Sequence, residues 1–149
     1  MIRIDIPATS ANLGSGFDSL GIALTMHNRV WMEEADTLEI STTDDVQVPT
    51  DESNLIYWAA KHLYEICGKQ LPGLRIIQEN NIPMARGLGS SSACIVAGIL
   101  GANRMLGSPL SQADLINLAA QIEGHPDNTS PAISGGLVAS AMEGRRVYS

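Results

Sequence analysis

Residues 90 to 106 constrain the fold more than any other stretch. Ala93, Ile95, Val96, Ala97, Ile99, Leu100, Ala102, Met105 and Leu106 set apolar side chains nearly all round one helix. Such a helix belongs in the middle of a molecule, with other elements on several sides of it. Directly ahead of it stands Pro83-Met-Ala-Arg-Gly-Leu-Gly-Ser-Ser-Ser-Ala93. Gly87 and Gly89 can take backbone angles closed to other residues and let the main chain approach a ligand closely. The N–H groups of Ser90, Ser91 and Ser92 fall in the first helical turn, where they lack intrahelical partners and lie at the positive end of the dipole. The construction predicts an anion site with phosphate as its natural occupant. The chain has neither Gly-x-x-x-x-Gly-Lys-Ser/Thr nor the third glycine of a Gly-x-Gly-x-x-Gly run. Taken alone, the segment also reads as a helix entry rich in capping hydroxyls.

Around that helix the pattern predicts one α+β domain over residues 1 to 149. Ile2, Ile4 and Ile6 alternate with Arg3 and Asp5, the period of a half-buried strand, and the polar stretch 8 to 18 follows as a loop. Leu20 to Leu24, Asn28 to Glu34, Leu38 to Thr42 and Leu74 to Gln78 read as further strands. Ser53 is placed to cap a helix running to Gly68. Ser111, with Asp114 three positions on, opens another that Gly124 stops, leaving Glu123 in its last turn. Residues 124 to 131 then read as a loop and Gly135 to Met142 as a strand. Trp31 and Trp58 are expected to pack in the core rather than stack on a ligand.

Composition narrows the functional classes. A net charge of −7, with no basic cluster beyond Arg145-Arg146, argues against a nucleic-acid surface. No apolar run approaches the about 18 residues of a membrane span, and no basic region leads into an apolar one at the amino end, so a cytoplasmic protein without a membrane partner is expected. Cys67 and Cys94 both fall in helical patterns and read as reduced, buried thiols.

Two further segments carry a resemblance. Pro7-Ala-Thr-Ser-Ala-Asn-Leu-Gly-Ser-Gly-Phe-Asp18 opens the chain, and Glu123-Gly-His-Pro-Asp-Asn-Thr-Ser-Pro-Ala-Ile-Ser-Gly-Gly-Leu137 stands near its end. With the glycine-serine loop between them, they resemble the three ordered motifs of the GHMP kinases, and the first and last look most like those of homoserine kinases. The resemblance implies a nucleotide-binding domain of ribosomal-protein-like fold and ATP-dependent phosphorylation of the L-homoserine side-chain hydroxyl, a step toward threonine. It also implies ATP and magnesium as cofactors and allows a homodimer. Members are about twice as long, with a ferredoxin-like second half. The chain is therefore expected to be an amino-terminal piece, inactive by itself. Another small-metabolite GHMP kinase, or a nucleotide-binding domain without turnover, are the alternatives.

The resemblance also distributes roles. The nucleotide phosphates fall to Pro83, Arg86, Gly87, Leu88, Gly89, Ser90, Ser91, Ser92 and Ala93, with Ser91 nearest the metal unless Ser90 or Ser92 takes that place. Glu123 matches the magnesium-binding glutamate; a carboxylate at a helix carboxyl end meets the negative end of the dipole, which suggests a use, and a solvated surface glutamate is the other reading. Asn12, Asp18, His125, Asp127 and Asn128 would face the acceptor, Asp18 meeting the ammonium group. Asn12 and Asn128 can orient a hydroxyl, whereas His125 also reads as a loop histidine with a structural hydrogen bond. Ser91, Glu123 and Asn128 are the catalytic candidates, and Asp127 as general base ranks behind direct attack of an oriented hydroxyl. Asn54 and Leu55 resemble the segment lining the base, with helix capping by Ser53 and a core Leu55 as the competing reading. Thr129 and Ser130 stand where many relatives have Val and Ala.

Overall fold

The computed structural model describes residues 1–11, 20–83, 89–124, 128–139, 141–143 and 146–148. Its centre is a mixed sheet built on one long strand. β2 (Leu20–Glu34) pairs antiparallel along its length with β1 (Ile2–Ala11). On its other edge it pairs with β4 (Leu74–Glu79) through Arg29 to Glu34 and with β5 (Leu137–Ala139) through Leu20 to Ile22. β3 (Glu39–Thr42) lies parallel to β4 at the margin. β6 (Ala141–Glu143) and β7 (Arg146–Tyr148) form a separate antiparallel ribbon.

Two expectations about the strands are corrected. The segments Leu20 to Leu24 and Asn28 to Glu34 are one continuous strand, because β1 supplies partners on both sides of Met26. Residues 8 to 11, expected in a loop, extend β1 past a register shift between Pro7 and Thr9.

The helices are α1 (Leu55–Ile66), α2 (Ser90–Met105), α3 (Gln112–Glu123) and the short α4 (Thr129–Ser134). As its composition demands, α2 is central, touching α1, α3, α4, β1 and β2. Two glycines permit the close approach: a Cβ on Gly98 would strike the Ile56 carbonyl and lie 2.9 Å from the Ala59 Cβ, and one on Gly101 would strike the Met32 side chain. Ile95, Val96, Ile99 and Ala102 are buried there with Ile4, Ile6, Val30 and Ile76 from the sheet and Ile56, Ala60 and Leu63 from α1.

The opposite sheet face is ionic. Arg3 pairs with Asp5 at 2.8 Å and Arg29 with Glu79 at 2.7 Å, while Arg75 bridges Glu39 at 2.7 Å and Glu33. Among exposed partners such pairs contribute about 0–1 kcal/mol each, so this charge matters more as a solvent-facing surface than as a source of stability.

Helix ends follow local chemistry. At α3 a capping box forms as expected, Asp114 N–H donating to Ser111 Oγ at 3.2 Å and Ser111 N–H to Asp114 Oδ2 at 3.1 Å, and Gly124 closes the helix with φ 91°. At α1 the cap is Asn54, not Ser53: Asn54 Oδ1 accepts from the N–H of Ile56 at 2.9 Å and of Tyr57 at 3.4 Å. Ser53 is occupied instead with Asp51, whose Oδ1 accepts from its backbone N–H at 2.9 Å. The expected loop over 124 to 131 yields to α4, which begins at Thr129.

Neither tryptophan is in the core. Trp58 is 45% exposed on the outside of α1, stacked on His62 with ring centroids 5.5 Å apart, because Ile56, Ala59, Ala60 and Leu63 fill the inward face. Trp31 is half-buried, and its strand neighbours Val30 and Met32 are the buried ones.

Candidate active site

Gly89 caps α2 in the left-handed region at φ 71°, and the first bond of the helix runs from Ala93 N–H to Gly89 O at 2.8 Å. Ser90, Ser91 and Ser92 therefore occupy the turn whose N–H groups precede the helical ladder. Their side chains differ: Ser90 is half-buried, Ser91 exposed, and Ser92 buried. Ser92 Oγ donates to Glu123 Oε1 at 2.6 Å, and Ser91 Oγ lies 3.5 Å from the same oxygen. Glu123 thus joins the carboxyl end of α3 to the amino end of α2. Beside its own helix terminus the carboxylate is unfavourable by a few tenths of a kcal/mol, and the positive end of α2 offsets this.

On the other side of Gly89 lies a second contact. Thr9 Oγ1 donates to Asn128 Oδ1 at 2.7 Å, and a Cβ on Gly89 would strike that hydroxyl and come within 3.3 Å of the same amide oxygen. The first, middle and last sequence motifs meet at this point.

A cavity of about 280 Å³ opens beside the start of α2, lined by Val48, Pro49, Leu55 and Ile82 together with Ser90, Ser91 and Cys94. It sits near the lower end of small-ligand pockets, about 300–1,000 Å³, with the apolar walls and few polar groups usual for them. Leu55, 39% exposed, lines it and is not a core residue. Asn54 lines it too, but its polar atoms are committed: besides capping α1, Nδ2 donates to Pro49 O and to Gln78 Oε1, both at 2.9 Å. Asn54 is thereby fixed as part of the cavity wall.

That wall is one hydrogen-bonded chain. Gln78 Nε2 donates to Asn80 Oδ1 at 3.2 Å, Asn80 N–H donates to Asp44 Oδ2 at 2.7 Å, and Val46 N–H donates to Asp44 Oδ1 at 3.0 Å. These bonds hold the Asp44 carboxyl below the ordinary aspartate range, the Asn80 N–H first among them. Cys94 carries a thiol pushed up to about 11 by burial, so it stays protonated near neutrality. The chain entering the glycine-serine segment is tied down at Asn28, whose Oδ1 accepts from Asn81 N–H at 2.7 Å and Ile82 N–H at 2.8 Å. Pro83 follows, exposed.

The structure brings together Ser91, Ser92, Glu123, Gly89 and Asn128, with Ser90, Leu55 and Asn54 around the adjoining cavity. Ala93 is buried in the helix. Asn12, Asp18, Arg86, Gly87, Leu88, His125 and Asp127 lie outside the described residues. Sequence reasoning missed Thr9, Asp44, Gln78, Asn80 and Cys94 as parts of the site. Gln78 had a signal, being the polar residue on the face that Leu74 and Ile76 bury; Asp44 and Asn80, 36 residues apart, had none.

A mixed sheet backing a glycine-capped central helix, with hydroxyls and a carboxylate at its amino end and an apolar cavity beside it, is the architecture of a GHMP kinase amino-terminal domain. Residues 54–136 match the GHMP kinases N terminal domain, and the chain belongs to that family. It is 47% identical over 149 residues to the homoserine kinase of Moorella thermoacetica, covering 99% of this chain and 50% of that protein. The solved structure of a Listeria monocytogenes protein described as a proposed homoserine kinase superposes with a TM-score of 0.87 at 41% identity, over 98% of this chain and 52% of that one. A homoserine kinase from Cytophaga hutchinsonii superposes with a TM-score of 0.81 at 33% identity, over 93% and 47%. The chain spans about half the length of the relatives it matches.

Proposed function

We propose that the protein carrying this chain transfers phosphate from ATP to the side-chain hydroxyl of L-homoserine. The observation that carries the kinase reading is the continuity of the apolar cavity with the amino end of α2, where Ser90 and Ser91 line both. A base in the cavity sends its phosphates toward the serine N–H groups. The likeness to homoserine kinases over 99% of the chain selects the acceptor.

The residues present suit ATP and magnesium. Magnesium takes one or two carboxylates with phosphate oxygens and water, and Glu123 beside the exposed Ser91 hydroxyl is an all-oxygen donor set of that kind. Bound together, the two supply the transferable phosphoryl group and neutralise its developing charge. In this reading Ser91 and Glu123 hold the metal, Ser92 orients Glu123, and Pro83, Arg86, Gly87, Leu88, Gly89, Ser90, Ser92 and Ala93 form the phosphate cradle. Asn12, Asp18, His125, Asp127 and Asn128 hold the acceptor, Asp18 pairing with its ammonium group. The acceptor hydroxyl attacks directly, oriented rather than deprotonated by Asn128. The reading places the protein in the cytoplasm, on the route to threonine, and allows a homodimer.

An ADP-release assay across homoserine, mevalonate, galactose and shikimate tests it. Homoserine should turn over fastest; equal or greater turnover with an acceptor lacking an amino group removes homoserine from the reading. The half-length match supports one further expectation. Residues 1 to 149 form one domain of a protein about twice as long, and alone they bind magnesium-nucleotide weakly and transfer phosphate several orders of magnitude more slowly, since positioning supplies most of the catalysis. Turnover by the 149 residues within about tenfold of a full-length relative contradicts that expectation.

A further inference from the structure

Along β1, strict alternation sends Ile4, Ile6 and Ala8 inward and would send Thr9 outward with Arg3, Asp5 and Pro7. Thr9 is instead 1% exposed, directly after an Ala8 that is fully buried. The register shift between Pro7 and Thr9 turns it in, the way a bulge re-aims a side chain beside a functional site. The bulge delivers the Thr9 hydroxyl to one place, 2.7 Å from Asn128 Oδ1 and against the Cα of Gly89.

We propose that Thr9 is a positioning residue: by donating to Oδ1 it holds the Asn128 side chain in one orientation beside the entry of α2. The proposal rests on the reading of Asn128 as an acceptor-side residue. A carboxamide has two nearly isosteric orientations that exchange its donor and acceptor ends. A hydroxyl proton on Oδ1 selects one of them, and a buried hydroxyl left without that bond is costly, which keeps the selection in force. An amide so held orients a neighbouring group and takes no part in removing the acceptor proton. Because Thr9 also abuts Gly89, the same hydroxyl sets the spacing between the acceptor side and the phosphate helix.

The test uses Thr9→Val, which keeps the shape and removes the hydroxyl, and Thr9→Ser, which restores it, in the protein that carries this chain. With homoserine and ATP, Thr9→Val should lower kcat by about tenfold or more while the KM for ATP moves less than about threefold, and Thr9→Ser should recover most of the rate. Independently of turnover, the side-chain amide of Asn128, assigned by its loss in Asn128→Asp, is followed by nitrogen-15 NMR. Thr9→Val should move or split that resonance, and Thr9→Ser should leave it near its wild-type position. An unmoved resonance in Thr9→Val, or Ser and Val variants equally impaired, overturns the proposal. If the wild-type protein phosphorylates no homoserine, the functional reading falls, and the resonance comparison still decides the orientation of Asn128.

Discussion

Ser92 and Glu123 meet through a 2.6 Å hydrogen bond between the amino end of α2 and the carboxyl end of α3. The shared oxygen lies 3.5 Å from Ser91, so a buried serine steers the carboxylate while an exposed one stays beside it on the open side.

That division of labour separates three substitutions. Glu123→Gln keeps the shape and removes the charge, and turnover should fall by about a hundredfold or more with a raised magnesium requirement. Ser91→Ala should resemble it. Ser92→Ala should lower turnover less and also lower stability, because it strips the carboxylate of its orienting donor. Steady-state rates against magnesium concentration check the order; a wild-type rate in Glu123→Gln would leave the carboxylate a surface group.

Gly89→Ala should be doubly unfavourable. The left-handed backbone costs a residue with a Cβ about 1–2 kcal/mol, and that Cβ meets the Thr9 hydroxyl. We expect a lower urea midpoint together with nucleotide affinity reduced at least about tenfold, since the distortion falls on the helix entry itself. Affinity unchanged in a folded variant would detach this turn from nucleotide binding.

Asp44 makes the cavity wall sensitive to acid. Its carboxyl is held low by the N–H groups of Asn80 and Val46. A carboxylate with a depressed native pKa contributes stability that is fully present above its unfolded value, near 3.8, and disappears as pH falls through the lower native value. Urea midpoints measured from pH 5 downward should drop more steeply for wild type than for Asp44→Asn. Parallel curves would mean that the Asp44 carboxylate does not hold the cavity wall.

Cys94 should be a sluggish thiol. With its pKa pushed up to about 11 from an ordinary 9.0, its thiolate fraction at pH 8 is about a hundredfold below that of an unperturbed cysteine. Ellman titration of the Cys67→Ala variant should show slow modification that accelerates toward pH 11 and slows further with magnesium-nucleotide present. Fast labelling at pH 8 would contradict the burial.

Much of this was legible because it is local. The all-round apolar pattern announced α2, Ser111 with Asp114 announced α3, and Gly124 its end. The chemistry expected of Glu123 and the serines needed only that α2 and α3 meet, which the motif order supplied. What stayed hidden depends on partners far along the chain. The continuity of β2 through Met26 is imposed by β1, and the inward turn of Thr9 comes from a bulge that alternation cannot reveal. Asn54 and Ser53 are adjacent and both good caps, and the choice falls to Asn54 because Gln78 and the Pro49 carbonyl satisfy its second polar end. Trp58 misled because its helix already had enough aliphatic residues for its inner face.

The shared edge of β2 has a consequence for how the molecule comes into being on the ribosome. Its carboxyl half gains β4 once residue 79 has emerged, but its amino half waits for Leu137–Ala139, more than a hundred residues after Leu20 was made. Until then one edge near the first motif is unpaired and open to any passing strand. The cavity wall can therefore assemble early in synthesis, while the sheet beside the first motif is finished only when β5 docks. A nascent chain halted before residue 137 should hold a formed cavity wall and an unsealed sheet, the species most in need of a chaperone.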